Sequence, residues 1–109
     1  MTEVASDLAI LQDKAGEASR LLRLLANENR LILLCELAGS GEMVVGALAA
    51  AVGLSQPALS QHLARLREDG LAGTRRKAQT VFYRIAGPKA ARVLALLREL
   101  YCPALPDRP

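Results

Sequence analysis

VGALAAAVGLSQPALSQHLARLR, residues 45–67, reads as two short helices around a tight turn. The first helix spans Val45 to Val52. Gly53 stops it, because glycine tolerates the left-handed backbone that helix ends commonly adopt. Leu54 fills the corner, and Ser55 caps the next helix by accepting a bond from an amide of its first turn. Pro57 falls inside that turn, where its missing N–H costs little. Leu59, Leu63 and Leu66 then recur at helical spacing and form one apolar seam. The opposite face carries Gln56, Ser60, Gln61 and Ala64, small or amide side chains suited to base edges in a major groove. This is the pattern of a helix-turn-helix whose second helix is the reader.

Downstream, Gly70 closes the reader and Leu71 returns to the core. Ala72–Arg76 and Thr80–Ala86 read as two strands around the tip Lys77-Ala78-Gln79. In the second strand Val81, Tyr83 and Ile85 alternate with Thr80, Phe82 and Arg84. A basic hairpin directly after a reader helix is a wing; elsewhere Arg75-Arg76-Lys77 would be an ordinary solvated turn. Tyr83 and Phe82 read as core and wing packing. Gly87-Pro88 breaks the chain before a last helix, Pro88–Tyr101, with Val93, Leu94, Leu97, Leu100 and Tyr101 on its apolar side. The three-proline tail, residues 103–109, reads as irregular.

Upstream, Leu8, Leu11, Ala15, Ala18, Leu22 and Leu25 define an apolar stripe on a first helix, Leu8–Ala26, after an irregular start over residues 1–7. Asn27 caps a second helix, Glu28–Ala38, whose LILLCELA run makes it the central buried helix. Gly39-Ser40-Gly41 ends it, and Glu42–Val44 is a short extended link. The expected fold is mainly α with a β-hairpin wing, a single winged helix-turn-helix domain of order α-α-α-α-β-β-α. The long leucine-rich end helices suggest a dimer.

The chain of 109 residues is 51% hydrophobic but only 3% aromatic, which suits helices packed at close range. Fourteen Lys+Arg against eleven Asp+Glu give a net charge of +3, too mild to decide anything alone. Placement says more: Arg65, Arg67, Arg75, Arg76, Lys77 and Arg84 all lie on or just after the reader. The acidic start lacks the apolar run of a signal peptide. No apolar run approaches the roughly 18 residues of a membrane span. A cytoplasmic, non-membrane protein is expected, in which two cysteines do not form a permanent staple.

Three blocks of residues resemble the ArsR/SmtB-type winged-helix repressors. They are Leu25-Ala26-Asn27-Glu28-Asn29-Arg30, then Gly53 through Leu63, then Leu66-Arg67-Glu68-Asp69-Gly70-Leu71, with Tyr83-Arg84 completing the match in the wing. The resemblance implies a homodimer paired through its first and last helices, bound to a palindromic operator and released by a chemical signal. Many such repressors sense metals through a cysteine-bearing segment, ELCVCDL, at the start of the third helix. Here Val44 and Gly46 occupy the two cysteine places. Others use Asp and His on the last helix, and Pro88–Tyr101 contains neither. No metal site and no cofactor are expected.

Cys35 and Cys102 remain. They resemble the pair in the dithiol branch of the family, the BigR/SqrR/YgaV-like repressors that sense reactive sulfur species; HlyU-type regulators are similar in sequence. Cys35 alone, inside LILLCEL, reads first as a small core hydrophobe. Cys102, ahead of Pro-Ala-Leu-Pro, is less easily explained by packing. A direct disulfide requires Cα atoms within about 7 Å. Closing so long a loop constrains the unfolded chain by about 4 kcal/mol on the entropic account. A bridge with extra sulfur spans a longer gap with less strain. Arg98, one turn before Cys102, would favour its thiolate, whereas Glu36 beside Cys35 would oppose ionisation there. Which thiol reacts first is left open.

The function expected is operator-bound repression relieved by a Cys35–Cys102 disulfide or polysulfide bridge, in response to reactive sulfur species or oxidants. The DNA-contacting set is Ser55, Gln56, Ser60, Gln61, His62, Arg65, Arg75, Arg76, Lys77 and Gln79, with His62 equally a hydrogen-bonded support residue. The alternative is an ArsR-type repressor that responds to a metal or other ligand through a different site. Two cysteines are too few for zinc unless a dimer assembles four ligands. An enzyme is not expected, for there is no C-x-x-C, no Gly-rich cofactor loop and no second histidine to pair with a thiol. A winged helix that binds protein instead of DNA fits the polar reader and basic wing poorly.

Overall fold

The computed structural model describes residues 2–102, with side chains from residue 7 onward. The elements are α1 (Thr2–Leu25), α2 (Glu28–Ser40), β1 (Glu42–Val44), α3 (Val45–Val52), α4 (Gln56–Glu68), β2 (Ala72–Lys77), β3 (Thr80–Ile85) and α5 (Pro88–Tyr101). This is the expected winged helix-turn-helix with one strand added. The proposed irregular tail at 103–109 lies outside the described residues.

Local signals place the helix-turn-helix as read. Gly53 takes φ 73° and its amide bonds the Ala49 carbonyl, which turns the chain sharply out of α3. Ser55 Oγ accepts the Ala58 amide at 3.3 Å. Pro57 sits in the first turn of α4, where no intrahelical donor is lost. Leu59, Leu63 and Leu66 are at most 1% exposed and dock α4 on the core. Asn27 caps α2 by accepting the Arg30 amide at 3.0 Å.

The core runs through Leu33, Leu34 and Leu37 of α2, Leu48 of α3, the α4 seam and Leu94 of α5. Each such leucine contributes roughly 1.5–3 kcal/mol of burial, an upper bound on an extended-chain reference. The α2 helix is the central one, with α3, α5 and the sheet all against it.

Four readings need correction. The segment 42–44 is not merely a link: it pairs antiparallel with β3, Glu42 opposite Arg84 and Val44 opposite Phe82, giving a sheet of order β1-β3-β2. Helix α1 starts at Thr2, so residues 2–7 are helical and not irregular. Most of its apolar stripe is uncovered: Leu8, Leu11 and Leu22 are 53–62% exposed, and among the described side chains of the helix Leu21, Leu24 and Leu25 are the ones that reach the core. Leu100 and Tyr101, assigned to the packed side of α5, are likewise exposed, along with Leu96. The described chain has a radius of gyration of 16.3 Å. A compact domain of this length measures about 13 Å, and the excess fits a long helix that stands out from the body.

The hairpin differs slightly from expectation. β2 continues to Lys77, the turn is Ala78-Gln79, and β3 ends at Ile85. Ala78 takes φ 55°, a left-handed conformation that costs a non-glycine residue about 1–2 kcal/mol.

Candidate nucleic-acid interface and thiol groove

Docking α4 by its leucine seam turns the other side of the helix outward. Ser55, Gln56, Ser60, Gln61, His62 and Arg65 are all exposed. Gln61, His62 and Arg65 line one polar hollow with Asn27 and Arg30 at the start of α2. His62 therefore does not support the seam from inside; it opens on this hollow. Arg30 forms the hollow's fixed wall, donating to the Leu24 carbonyl at 2.8 Å and lying 3.6 Å from the Asp69 carboxylate. Asn27 and Arg30 were missed as candidates because their capping role hides their place beside the reader.

The wing residues divide by strand alternation. Arg75 and Lys77 share one face of β2, and Arg76 takes the other. Arg76, Lys77 and Gln79 are exposed at the end of the hairpin. Arg75, exposed as well, is engaged along the face of the sheet. Its Nε and one terminal nitrogen each donate to Glu42 at 2.9 Å, and its guanidinium lies over the Phe82 ring, 4.8 Å from the centroid. These bonds hold the Glu42 carboxyl below the usual carboxylate range. Glu42 escaped notice because it lies 33 residues from Arg75 in the chain, on a strand too short to show alternation.

The cysteines, both free thiols, come together on a different face. A groove of about 350 Å³ between α2 and α5 is lined by both of them, with Leu31, Ile32, Glu36, Leu97, Arg98 and Tyr101. Cys35 is half-buried on α2, and Cys102 is exposed where α5 ends, its amide bonded to the Arg98 carbonyl at 2.8 Å. Burial pushes the Cys35 thiol up; the Arg98 cation opposes this, and a thiolate at Cys102 would add to it. Arg98, expected to favour the Cys102 thiolate, thus acts on Cys35 across the groove. Glu36, expected to raise Cys35, is not among the causes of its shift; its carboxylate accepts the Ser40 hydroxyl at 3.5 Å. Among the described residues no cluster of three or more His, Cys, Asp or Glu could hold a metal ion.

Residues 27–73, from the cap of α2 to the start of the wing, match the bacterial regulatory protein, arsR family. The transcriptional activator HlyU of Vibrio cholerae is 46% identical over 98 residues, which cover 90% of each chain. The chain belongs to the ArsR family. This ArsR-family protein is also 41% identical to the HTH-type transcriptional regulator YgaV of Escherichia coli, over 90% of its own length and 99% of YgaV. The crystal structure of the transcriptional repressor BigR from Xylella fastidiosa superposes with a TM-score of 0.79 at 37% identity, covering 92% of this chain and 98% of BigR. Within the ArsR family it therefore groups with HlyU, YgaV and BigR. It is a transcriptional regulator with a DNA-binding winged-helix fold and not an enzyme. Among the described residues no helix is long and apolar enough to cross a membrane.

Proposed function

We propose that this ArsR-family protein is a homodimeric, cytoplasmic repressor that leaves its operator when sulfur bridges Cys35 to Cys102. The observation that carries the switch is the shared groove: residues 67 positions apart in sequence line one cavity between two packed helices. Reactive sulfur species supply the signal. A hydropersulfide, R–S–SH, transfers its terminal sulfur to one thiolate and leaves as R–SH. The second thiolate attacks the protein-bound sulfur of that persulfide, forms the Cys–S–S–Cys bond and expels hydrosulfide, which carries off the electron pair. If both cysteines are first persulfidated, their reaction gives a trisulfide bridge and hydrogen sulfide.

Operator contact comes from the exposed face Ser55, Gln56, Ser60, Gln61, His62 and Arg65, with Arg76, Lys77 and Gln79 from the wing. Each reader of a two-fold dimer enters a major groove, so half-sites lie about one helical turn, ~34 Å, apart. The exposed leucines of α1 and α5 supply the apolar surface for the second copy. A bridge between α2 and the end of α5 ties the core of each protomer to that surface. A small rotation there changes the spacing of the readers while every DNA-facing side chain stays as it was. Tenfold release requires about 1.4 kcal/mol of differential affinity between the two forms.

The test is the affinity of wild type, Cys35→Ser and Cys102→Ser for a duplex selected from a random-sequence pool, before and after polysulfide. Both variants should bind as wild type does and stay bound under polysulfide. Release of either variant as readily as wild type refutes the two-thiol switch. Release of reduced wild type by a metal salt would favour a metal-responsive repressor instead.

A further inference from the structure

Arg75 belongs to the basic hairpin, yet its donors are turned along the sheet into a carboxylate. The strand register explains how. Arg75 on β2 lies opposite Phe82 on β3, and Phe82 lies opposite Val44 on β1. Glu42, two residues before Val44, shares its face of the sheet. The arginine therefore crosses the central strand over the aromatic ring and reaches the edge strand, where it meets both carboxylate oxygens at 2.9 Å. Arg84 stands directly opposite Glu42 in the ladder and adds a second positive charge beside it.

We propose that Glu42 and Arg75 form a latch that sets the angle of the wing, and that Arg75 is a positioning residue and not a DNA contact. An isolated two-stranded ribbon is only marginally stable in water. β1 meets β3 only at residues 82–84, so the outer half of the hairpin has no third strand to brace it. The latch joins β2 to the edge strand β1 at the last registers that have three strands, and so sets the direction in which the unbraced outer half leaves the sheet. An exposed ion pair ordinarily contributes little, but a bidentate arginine stacked on an aromatic face is the geometry that departs from that rule. Nε and one terminal nitrogen of Arg75 already donate to Glu42, so a phosphate could take only its remaining N–H groups and would sit beside a carboxylate, whereas Arg76 and Lys77 at the end of the hairpin carry no such anion. Glu42 directly follows Gly41, the C-cap of α2. The same contact therefore fixes the wing to the helix that bears Cys35.

This inference rests on DNA binding by the fold and not on the thiol switch, so it is tested on reduced full-length protein. Affinity for the pool-selected duplex is measured over a range of salt for wild type and variants. Salt-dependent binding by wild type stands as the DNA reading whatever the latch variants do. Glu42→Ala should weaken binding about fivefold, the scale of a well-formed surface pair, with the salt slope unchanged. Arg75→Ala should match it, and the double variant should be no weaker than either. Arg76→Ala, in contrast, should flatten the slope by about 0.9, the loss of one phosphate contact. The reading is overturned if Glu42→Ala tightens binding, as release of a phosphate-binding arginine would, or if Arg75→Ala flattens the slope. Charge exchange gives an independent check. E42R/R75E should bind more tightly than R75E alone if the pair is a latch; equal weakness of the two would mark Arg75 as a direct contact.

Discussion

Helices α1 and α4 carry the same kind of leucine periodicity and meet opposite surroundings. In α4, Leu59, Leu63 and Leu66 are almost wholly buried by α3 and the core; in α1, Leu8, Leu11 and Leu22 are more than half exposed. The difference lies in the connections. Gly53 bends α3 directly onto α4, and the Gly70 turn, at φ 76°, folds Leu71 back under it. The described part of α1 meets the core near its C-terminal end, through Leu21, Leu24 and Leu25, and otherwise touches the body through the exposed Glu17–Lys89 pair. An apolar stripe thus prescribes that something will cover a helix face, and the connections decide whether the same chain can do so.

The largest expected effect is on the buried side of this comparison. Leu63→Ala should cost about 2–5 kcal/mol of unfolding free energy, read by urea titration. A cost below about 1 kcal/mol would mean that α4 is not seated as described. Next, Leu8→Ser combined with Leu11→Ser should leave the protomer fold intact but raise the dimer dissociation constant at least about tenfold, because each leucine buried in an interface contributes on the order of 1.5 kcal/mol or more. Sedimentation across a concentration series checks this. Unchanged self-association would remove α1 from the dimer surface and leave its stripe without a function.

Smaller still is Ser55→Ala, which removes the α4 cap and should cost about 1 kcal/mol. If thermal melts show no loss, the leucine seam alone fixes where α4 begins. The smallest effect contrasts the ends of the thiol groove. At neutral pH iodoacetamide should modify exposed Cys102 before half-buried Cys35, as followed by peptide mass. Burial raises the Cys35 thiol, so its labelling should accelerate only as pH rises beyond the ordinary thiol range. The same sign holds for stability. A raised folded-state value gives a contribution that is complete below the unfolded thiol's value and is lost as pH rises through the folded one. Equal labelling rates at neutral pH would show that α5 does not leave Cys102 more open than Cys35.

The elements legible in sequence were those with local causes. Gly53, Ser55, Pro57 and the α4 leucines lie within a few residues of one another, and each acts on its own backbone or its own helix face. β1 was not legible because Glu42–Val44 is too short to show alternation, and its partner β3 arrives only after the whole helix-turn-helix. The same separation hid the Glu42–Arg75 pair, so that a basic side chain in a wing looked like one more phosphate contact. Helix α1 was extended by residues whose polar, acidic character gave no apolar period. In the groove, the meeting of Cys35 and Cys102 followed from the packing of α2 on α5, but the reach of Arg98 did not. Its place one turn before Cys102 suggested that partner, whereas its side chain crosses to the neighbouring helix.

That crossing depends on an empty space the size of a methyl group. A Cβ built on Gly39 would stand 2.8 Å from the Arg98 guanidinium carbon, closer than such atoms approach. Gly39 lies one helical turn beyond Cys35, and Arg98 is the cation that draws the Cys35 thiol down. Alanine at position 39 would move a flexible side chain and leave both sulfur atoms and the reader untouched. The farther the guanidinium is pushed from α2, the less it would offset the burial that raises the Cys35 thiol. Under the thiol switch proposed above, hydrogen in place of a side chain at position 39 would then be a setting on sensitivity, adjustable without altering either sulfur atom.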